Sequence, residues 1–298
     1  VRRVKLGIYT RTEGARLTEI TISMPHVDTE GRPTPETVRV PDTSVCICYP
    51  TSGTVHVLFH RSIADLHAYD QEQGWNNLVA EKAVISGANI SKARNELVSW
   101  VLDEVGSEWV WFIDTDMVLH PNALPKLLCA AEVSGARVLG ALCVMIDDKD
   151  GPIPTIYQLG NFDQGEITRV VCDFPENTVI QVAATGAACL LIHRSVLEDI
   201  RARYPNDPYP WFREDVINGN WVSEDLRFCL VANACGHPVF VDCTTEVGHA
   251  KGSSVWWPKD VKAGRGFPKL KNFAVIPVKD HLALTRSLVK QLRAQGEC

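Results

Sequence analysis

The stretch Trp109-Val110-Trp111-Phe112-Ile113-Asp114-Thr115-Asp116 is an apolar run that stops at two carboxylates one residue apart. Trp, Val, Phe and Ile favour the pleated backbone, and a short continuous apolar run is the pattern of a buried strand. The acids then fall where the chain leaves the sheet. Open α/β folds place their ligand crevice at that carboxyl end of the strands. Asp114 and Asp116 can reach one hard cation together only if the chain bends between them. A cation held there could grip a diphosphate and neutralise charge on a leaving nucleoside diphosphate, which points to a metal-dependent transferase using a nucleotide sugar.

An Asp-x-Asp spacing alone means little, and the chain carries its own control. Asp148-Lys149-Asp150 repeats the spacing inside a polar, Gly/Pro-punctuated stretch, Asp147 to Pro152, that reads as a turn. An EF-hand does not fit it, because Ile146 and Tyr157 occupy positions that need oxygen ligands. Turn carboxylates are ordinarily solvated. Strand context is what sets Asp114 and Asp116 apart.

The 298 residues, 45% hydrophobic and 22% charged, suit a soluble globular enzyme. No apolar run approaches the ~18 residues of a spanning helix. Val1-Arg2-Arg3-Val4-Lys5 has no signal-peptide-like apolar run behind it. Ten cysteines are scattered through apolar segments such as Val45-Cys46-Ile47-Cys48, where a free thiol acts as a small hydrophobe. A reducing, cytoplasmic setting is expected. The net charge of −6 argues against a polyanion as the main partner, although Lys251, Lys259, Lys262, Arg265, Lys269 and Lys271 form one basic cluster.

Residues 1–43 are polar and Pro/Thr-rich, an N-terminal extension or edge hairpin. The core begins at the apolar Ser44 to Tyr49, stopped by Pro50-Thr51-Ser52-Gly53, with a helix from Val57 to Tyr69. Ser91 suits an N-cap, and Ala93, Leu97, Val101 and Val105 form a helical stripe ended by Gly106. After the acids, Pro121 and Leu124, Leu127 and Leu128 continue as a helix, and a strand follows over Val138 to Met145. Residues 147–178 read as loop. Strands at 179–183 and 187–192 precede a helix opened by a capping box, Ser195 to Glu198. Tyr204 to Trp221 reads as a surface loop, Ser223 to Gly236 as a helix and Pro238 to Val241 as a short strand. Leu282, Leu284, Leu288 and Leu292 suggest a last helix. This alternation predicts one α/β domain over 44–250 with a mostly parallel central sheet flanked by helices, and a C-terminal segment, 251–298, of lid and helix.

Downstream of the Asp pair, Glu224 and Asp225 occupy the first turn of a helix, where the dipole favours a charged carboxylate and lowers its pKa. Either could accept a hydroxyl proton if the helix start faces the crevice. His249 trails the last core strand and is a candidate metal ligand. Cys229, Cys235, His237, Cys243 and His249 lack zinc-knuckle spacing. No G-x-x-x-x-G-K-S/T and no strand-following G-x-G-x-x-G occurs, so P-loop and dinucleotide sites fall away.

The ordered set Tyr49-Pro50-Thr51, Ile90-Ser91-Lys92-Ala93-Arg94-Asn95, Phe112 to Met117, Thr185-Gly186-Ala187-Ala188, Ser223-Glu224-Asp225 and Val247-Gly248-His249 resembles the GT-A-fold glycosyltransferases. The likeness is to the family 2-like group and its small stand-alone relatives of phage genomes, and it spans roughly residues 44–250. It implies a Rossmann-like GT-A domain and a nucleoside-diphosphate sugar donor. Thr51 and Ser52 would line the nucleoside pocket, with Arg94, Asn95 and Thr115 also on the donor side. Asp114, Asp116 and His249 would hold Mn²⁺ or Mg²⁺. Asp225, or Glu224 beside it, would be the base of an inverting displacement, with Gly186, Trp221 and Trp211 on the acceptor side. The acidic residues that often follow the second strand and contact the base have no match here, which leaves the nucleobase open.

Ala250 to Phe267, rich in Gly and Ser with Trp256 and Trp257, is expected to be a lid bringing Lys259, Lys262 or Arg265 to phosphate. Tyr209, Trp211 and Phe212 are candidate stacking aromatics or core anchors. Two other readings share these residues: a nucleotidyltransferase attacking phosphorus, and a non-catalytic carbohydrate-binding relative. Protein, a modified DNA base, a glycan and a small molecule all stand as acceptors.

Overall fold

Val45, Ile47 and Tyr49 pack to one side of the first core strand and Cys46 and Cys48 to the other, all fully buried. A strand apolar on both faces needs helices on both. The computed structural model describes residues 6–7, 19–20, 40–147, 151–160, 167–217, 219–252, 254–259 and 275–277. The core strands are β1 (Val45–Thr51), β2 (Leu78–Ile85), β3 (Trp109–Ile113), β4 (Val138–Leu142), β5 (Val179–Val182), β6 (Cys189–His193) and β7 (Val239–Glu246). They form one sheet in the order β5-β7-β4-β6-β3-β1-β2. Strands β1, β2, β3, β4 and β7 run one way, and β5 and β6 run the other, so the sheet is mostly parallel in direction.

Helices α1 (Val57–Glu72) and α3 (Ala123–Ser134) cover one face, through Phe59, Ile63, Leu66, Leu124 and Leu127. On the other face lie α2 (Ile90–Trp100), α4 (Arg194–Arg203) and α5 (Glu224–Ala234), through Leu97, Val98, Leu197, Ile200 and Phe228. Each large side chain fully withdrawn from water adds about 1.5–3 kcal/mol. Among the described residues no helix is long and apolar enough to cross a membrane.

The reversed strand β6 decides where the site lies. Its first residue, Cys189, stands opposite Ile113, the last residue of β3. The turn that leads into β6 therefore sits at the same sheet edge as the acids that leave β3, and Asp114 N donates to Ala188 O at 2.9 Å. A parallel strand in that slot would have brought its other end there.

Several local expectations are corrected. Asn89, not Ser91, caps α2, its Oδ1 accepting from Lys92 N at 2.8 Å. His193 caps α4 through Ser195 N, so there is no capping box; Arg137 donates to the Ser195 hydroxyl and Glu198 pairs with Arg194. Residues 147–178 contain the short strands Gly151–Pro154, Ile156–Leu159 and Thr168–Val170 rather than loop throughout. The Tyr204 to Trp221 stretch folds partly into a hairpin, Asp215–Ile217 against Asn220–Val222. Strand β7 extends to Glu246. Upstream, Leu6–Gly7 pairs antiparallel with Glu19–Ile20, and downstream Val275–Pro277 pairs with Thr54–His56. Asp148 and Asp150 and the helix expected near 282–292 lie outside the described residues.

Candidate active site

At the end of β3 the chain does bend: Met117 N donates to Asp114 O at 3.0 Å, closing a turn around Thr115 and Asp116. The strand Met117–Val118 then pairs antiparallel with Gly248–Lys251, His249 opposite Met117. Ala250 N donates to Asp116 O at 2.8 Å and locks the register. That pairing brings His249 to the Asp pair across 133 residues of sequence, with Nε2 at 3.1 Å from Asp116 Oδ2. On the other side of the ring Nδ1 donates to Val144 O at 2.8 Å. A backbone carbonyl on one ring nitrogen fixes the tautomer and frees the other nitrogen's lone pair for a metal. Burial pulls the His249 pKa down, but the bond to Asp116 and its charge outweigh it, and the net direction is upward.

Asp114 commits one oxygen to another partner while staying within the field of Asp116 and His249. Its Oδ1 accepts from Arg94 Nη2 at 2.9 Å, and Arg94 Nη1 donates to Glu224 at the start of α5. Burial raises the pKa of Asp114 against the pull of Arg94, and Asp116 adds to the rise. Glu224 is likewise raised, by burial first, so the expected dipole-lowered value is not found there. Among the described residues no three His, Cys, Asp or Glu side chains already stand in metal-ligating geometry. Asp116 and His249 converge as a pair, 46% and 18% exposed. An imidazole nitrogen beside a half-exposed carboxylate fits a borderline-hard divalent ion such as Mn²⁺, with room for a ligand's oxygens. His237 pairs instead with Asp199, 3.0 Å away.

Asp225 is half-buried beside Glu224. Its Oδ1 accepts from the Ser223 hydroxyl and from Leu226 N at 2.7 Å. Its Oδ2 lies 3.6 Å from where a side chain on Gly186 would begin, ordinary contact distance, so the Thr185–Ala187 turn packs beside that oxygen. Tyr157 stands within the field of Asp225; burial and that charge push its pKa to about 12.

On the donor side Thr51 is buried and closes its own turn, its hydroxyl donating to Thr54 O at 2.9 Å and accepting from Gly53 N at 3.1 Å. Ser52 is exposed at the tip. His56 N donates to Thr115 O at 2.9 Å, which seats this loop against the Asp turn. The His56 ring was missed from sequence. Burial lowers its pKa overall, against the smaller upward pull of a bond to the Gly252 backbone and of the Asp116 charge. Its only sequence signal is its position before α1, whose first turn it caps through Leu58 N. Val144, which aims His249 through a carbonyl, carries no side-chain signal at all.

Two predicted contact residues are core residues instead. Asn95 is fully buried; its amide donates to Ser91 O and Phe212 O, and its Oδ1 accepts from Trp211 N and Phe212 N. Those bonds satisfy its side chain, so it pins a loop rather than facing a donor. Trp211 is 2% exposed with its indole N–H on Leu197 O at 2.8 Å, and it cannot stack on an acceptor. Trp221, 66% exposed on the hairpin before α5, can. The expected lid is, as far as Lys259, a packed hairpin: Ser254–Trp256 pairs with Gly248–Lys251, Trp256 is buried, and the Trp257 ring lies 5.1 Å from His120. Lys262 and Arg265 lie outside the described residues.

With the acid-tipped β3 and the reversed β6 described, comparison with known proteins gives a family. The family model described as glycosyltransferase like family 2 matches residues 79–263. The chain belongs to that family. It is a glycosyltransferase with a GT-A fold, and members of its family use nucleotide-sugar donors. The crystal structure of A197 from STIV aligns with a TM-score of 0.51 at 15% identity, covering 77% of this chain and 95% of that one. GalNAc-T7, solved with UDP, GalNAc and Mn²⁺, aligns at 14% identity and a TM-score of 0.42, over 70% of this chain and 44% of that one. No curated protein matches the chain.

Proposed function

We propose that this glycosyltransferase is metal-dependent and inverting, moving a sugar from a nucleoside diphosphate to a hydroxyl acceptor. Asp116 and His249, with Asp114 beside them, would hold Mn²⁺ or Mg²⁺. When bound, such an ion offsets charge on the diphosphate as it departs. The contact that carries this reading is His249 Nε2 at 3.1 Å from Asp116 Oδ2, with Nδ1 held on Val144 O.

Asp225 is the base. As the acceptor oxygen bonds to the anomeric carbon and the bond to the diphosphate breaks, the hydroxyl proton passes to Asp225 Oδ2, the oxygen beside Gly186, while Oδ1 is held by Ser223 and Leu226. Glu224, buried against Arg94, is not free for that role. Thr115 and the Thr51–Ser52 turn flank the donor, and Trp221 offers an exposed ring to the acceptor. Protein, a modified DNA base, a glycan and a small molecule are the acceptor classes to screen. Unpaired buried thiols such as Cys46, Cys189 and Cys229 favour a reducing, cytoplasmic setting.

A thermal-shift screen of nucleoside diphosphates and their sugars, with and without Mn²⁺, tests the donor side, because a ligand that binds the folded state raises apparent stability. Stabilisation by one nucleotide only with the metal is expected; equal stabilisation without it would remove the cation from the scheme. NMR of the product's anomeric proton reads inversion. Release of pyrophosphate instead of a nucleoside diphosphate would indicate nucleotidyl transfer.

A further inference from the structure

Only 3% of the Arg94 side chain is exposed. A guanidinium is stable so deep only when negative charge and hydrogen bonds replace its water. Here they come from two different elements: Nη2 on Asp114 Oδ1 at the end of β3, and Nη1 on Glu224 Oε1 at the start of α5. The Phe212 ring lies 5.9 Å from Cζ, and the neighbouring Asn95 fixes Phe212 by its backbone. Each Nη nitrogen holds one carboxylate, while Nε is buried with no hydrogen-bond partner among the described residues, so the cation is committed to the two acids and withdrawn from solvent.

We infer that Arg94 is a positioning residue that ties the acid ending β3 to the acid opening α5. It thereby fixes the distance between the metal-side carboxylates and the base Asp225, and it does not touch the donor. This rests on the glycosyl-transfer reading above. The planar fork is essential, since an ammonium is a point charge and cannot hold two carboxylates in a set geometry. Misplacement by about 1 Å far from the reacting atoms can cost about 10²-fold in rate.

The test uses the full chain with Arg94→Lys, Glu224→Gln and the double variant. Lysine keeps the buried positive charge and glutamine keeps an acceptor for Nη1, so the fold is retained. Both single variants are expected to lose about tenfold or more in kcat while KM for the sugar nucleotide stays within about threefold. The double variant falls no further than the worse single one, because all three break one bridge. Mn²⁺ alone, followed through the free-ion EPR signal, binds both variants about tenfold more weakly as Asp114 loses its orientation.

A raised KM in Arg94→Lys, with Mn²⁺ binding and the Glu224→Gln variant unchanged, would make Arg94 a donor contact and overturn the inference. A lower urea midpoint with kcat and Mn²⁺ affinity intact would reduce the bridge to a core contact and overturn it equally. Lack of turnover by the parent protein with every sugar nucleotide would sink the glycosyl-transfer reading instead, and the Mn²⁺ titrations would still judge the bridge.

Discussion

His249 Nε2 and Asp116 Oδ2 stand 3.1 Å apart although 133 residues separate them, and a strand pairing next to each residue sets that distance. Met117, opposite His249, follows Asp116 directly. The pair is therefore held by backbone hydrogen bonds, and the Val144 carbonyl stops the ring from turning.

From that contact, His249→Ala and Asp116→Ala should each abolish Mn²⁺-dependent stabilisation by the cognate nucleoside diphosphate. At a ligand concentration of 100 Kd the parent should gain about 2.7 kcal/mol. For a domain of this size that is a rise of several degrees, roughly 2–4 °C for each kcal/mol. Differential scanning fluorimetry checks it. A full shift in either variant would remove that residue from the cation site.

Asp225→Asn should fold and bind the donor as the parent does while transfer falls by about 10²–10⁴, the usual worth of a positioned base. The amide preserves an acceptor for Ser223 Oγ and Leu226 N. Coupled release of nucleoside diphosphate follows the rate, and isothermal titration with donor and Mn²⁺ follows binding. Wild-type turnover in this variant would rule Asp225 out as the base.

Asn95→Ala should cost stability first. The Trp211 and Phe212 amides would lose their acceptor in a buried setting, at about 1–3 kcal/mol for each unsatisfied group. A total near 2–4 kcal/mol is expected, read from the urea midpoint, with little change in donor affinity below the transition. Unchanged stability with a large rise in donor KM would return Asn95 to the donor side.

Gly248→Ala tests how tightly the hairpin bearing His249 is seated. A methyl there would stand 2.8 Å from Val255 Cγ1 and 2.9 Å from the Trp257 ring. Overpacking of this kind costs about 1–3 kcal/mol. The variant should show altered tryptophan fluorescence and weaker Mn²⁺ binding, since His249 is the next residue. Parent-like spectra and affinity would mean that the hairpin yields without moving the imidazole.

Much of the fold was legible because apolar periodicity is a local property. The run over 109–113 and the stripe through Ala93, Leu97 and Val101 report which faces are buried, whatever they meet. Helix caps were less legible: Asn89 and Ser91 are both capable N-caps, and nothing local ranks them. Asp114, Asp116 and Asp225 could be named because each ends or opens an element at the sheet's carboxyl edge. Asn95 sits beside Arg94 in the same helix and was given the same role, yet its side chain meets the backbone at Phe212, 117 residues away.

Sequence by itself determined the elements, the acid-tipped strand and the class of chemistry, since these follow from spacing and residue type along a few turns. Only the tertiary structure decided partners: the reversed β6 beside β3, the imidazole next to Asp116, and the guanidinium spanning Asp114 and Glu224. A hydrophobic pattern encodes which face turns inward and not which element covers it. A buried polar group, by contrast, finds its stability in one particular partner, which only the folded chain brings within reach.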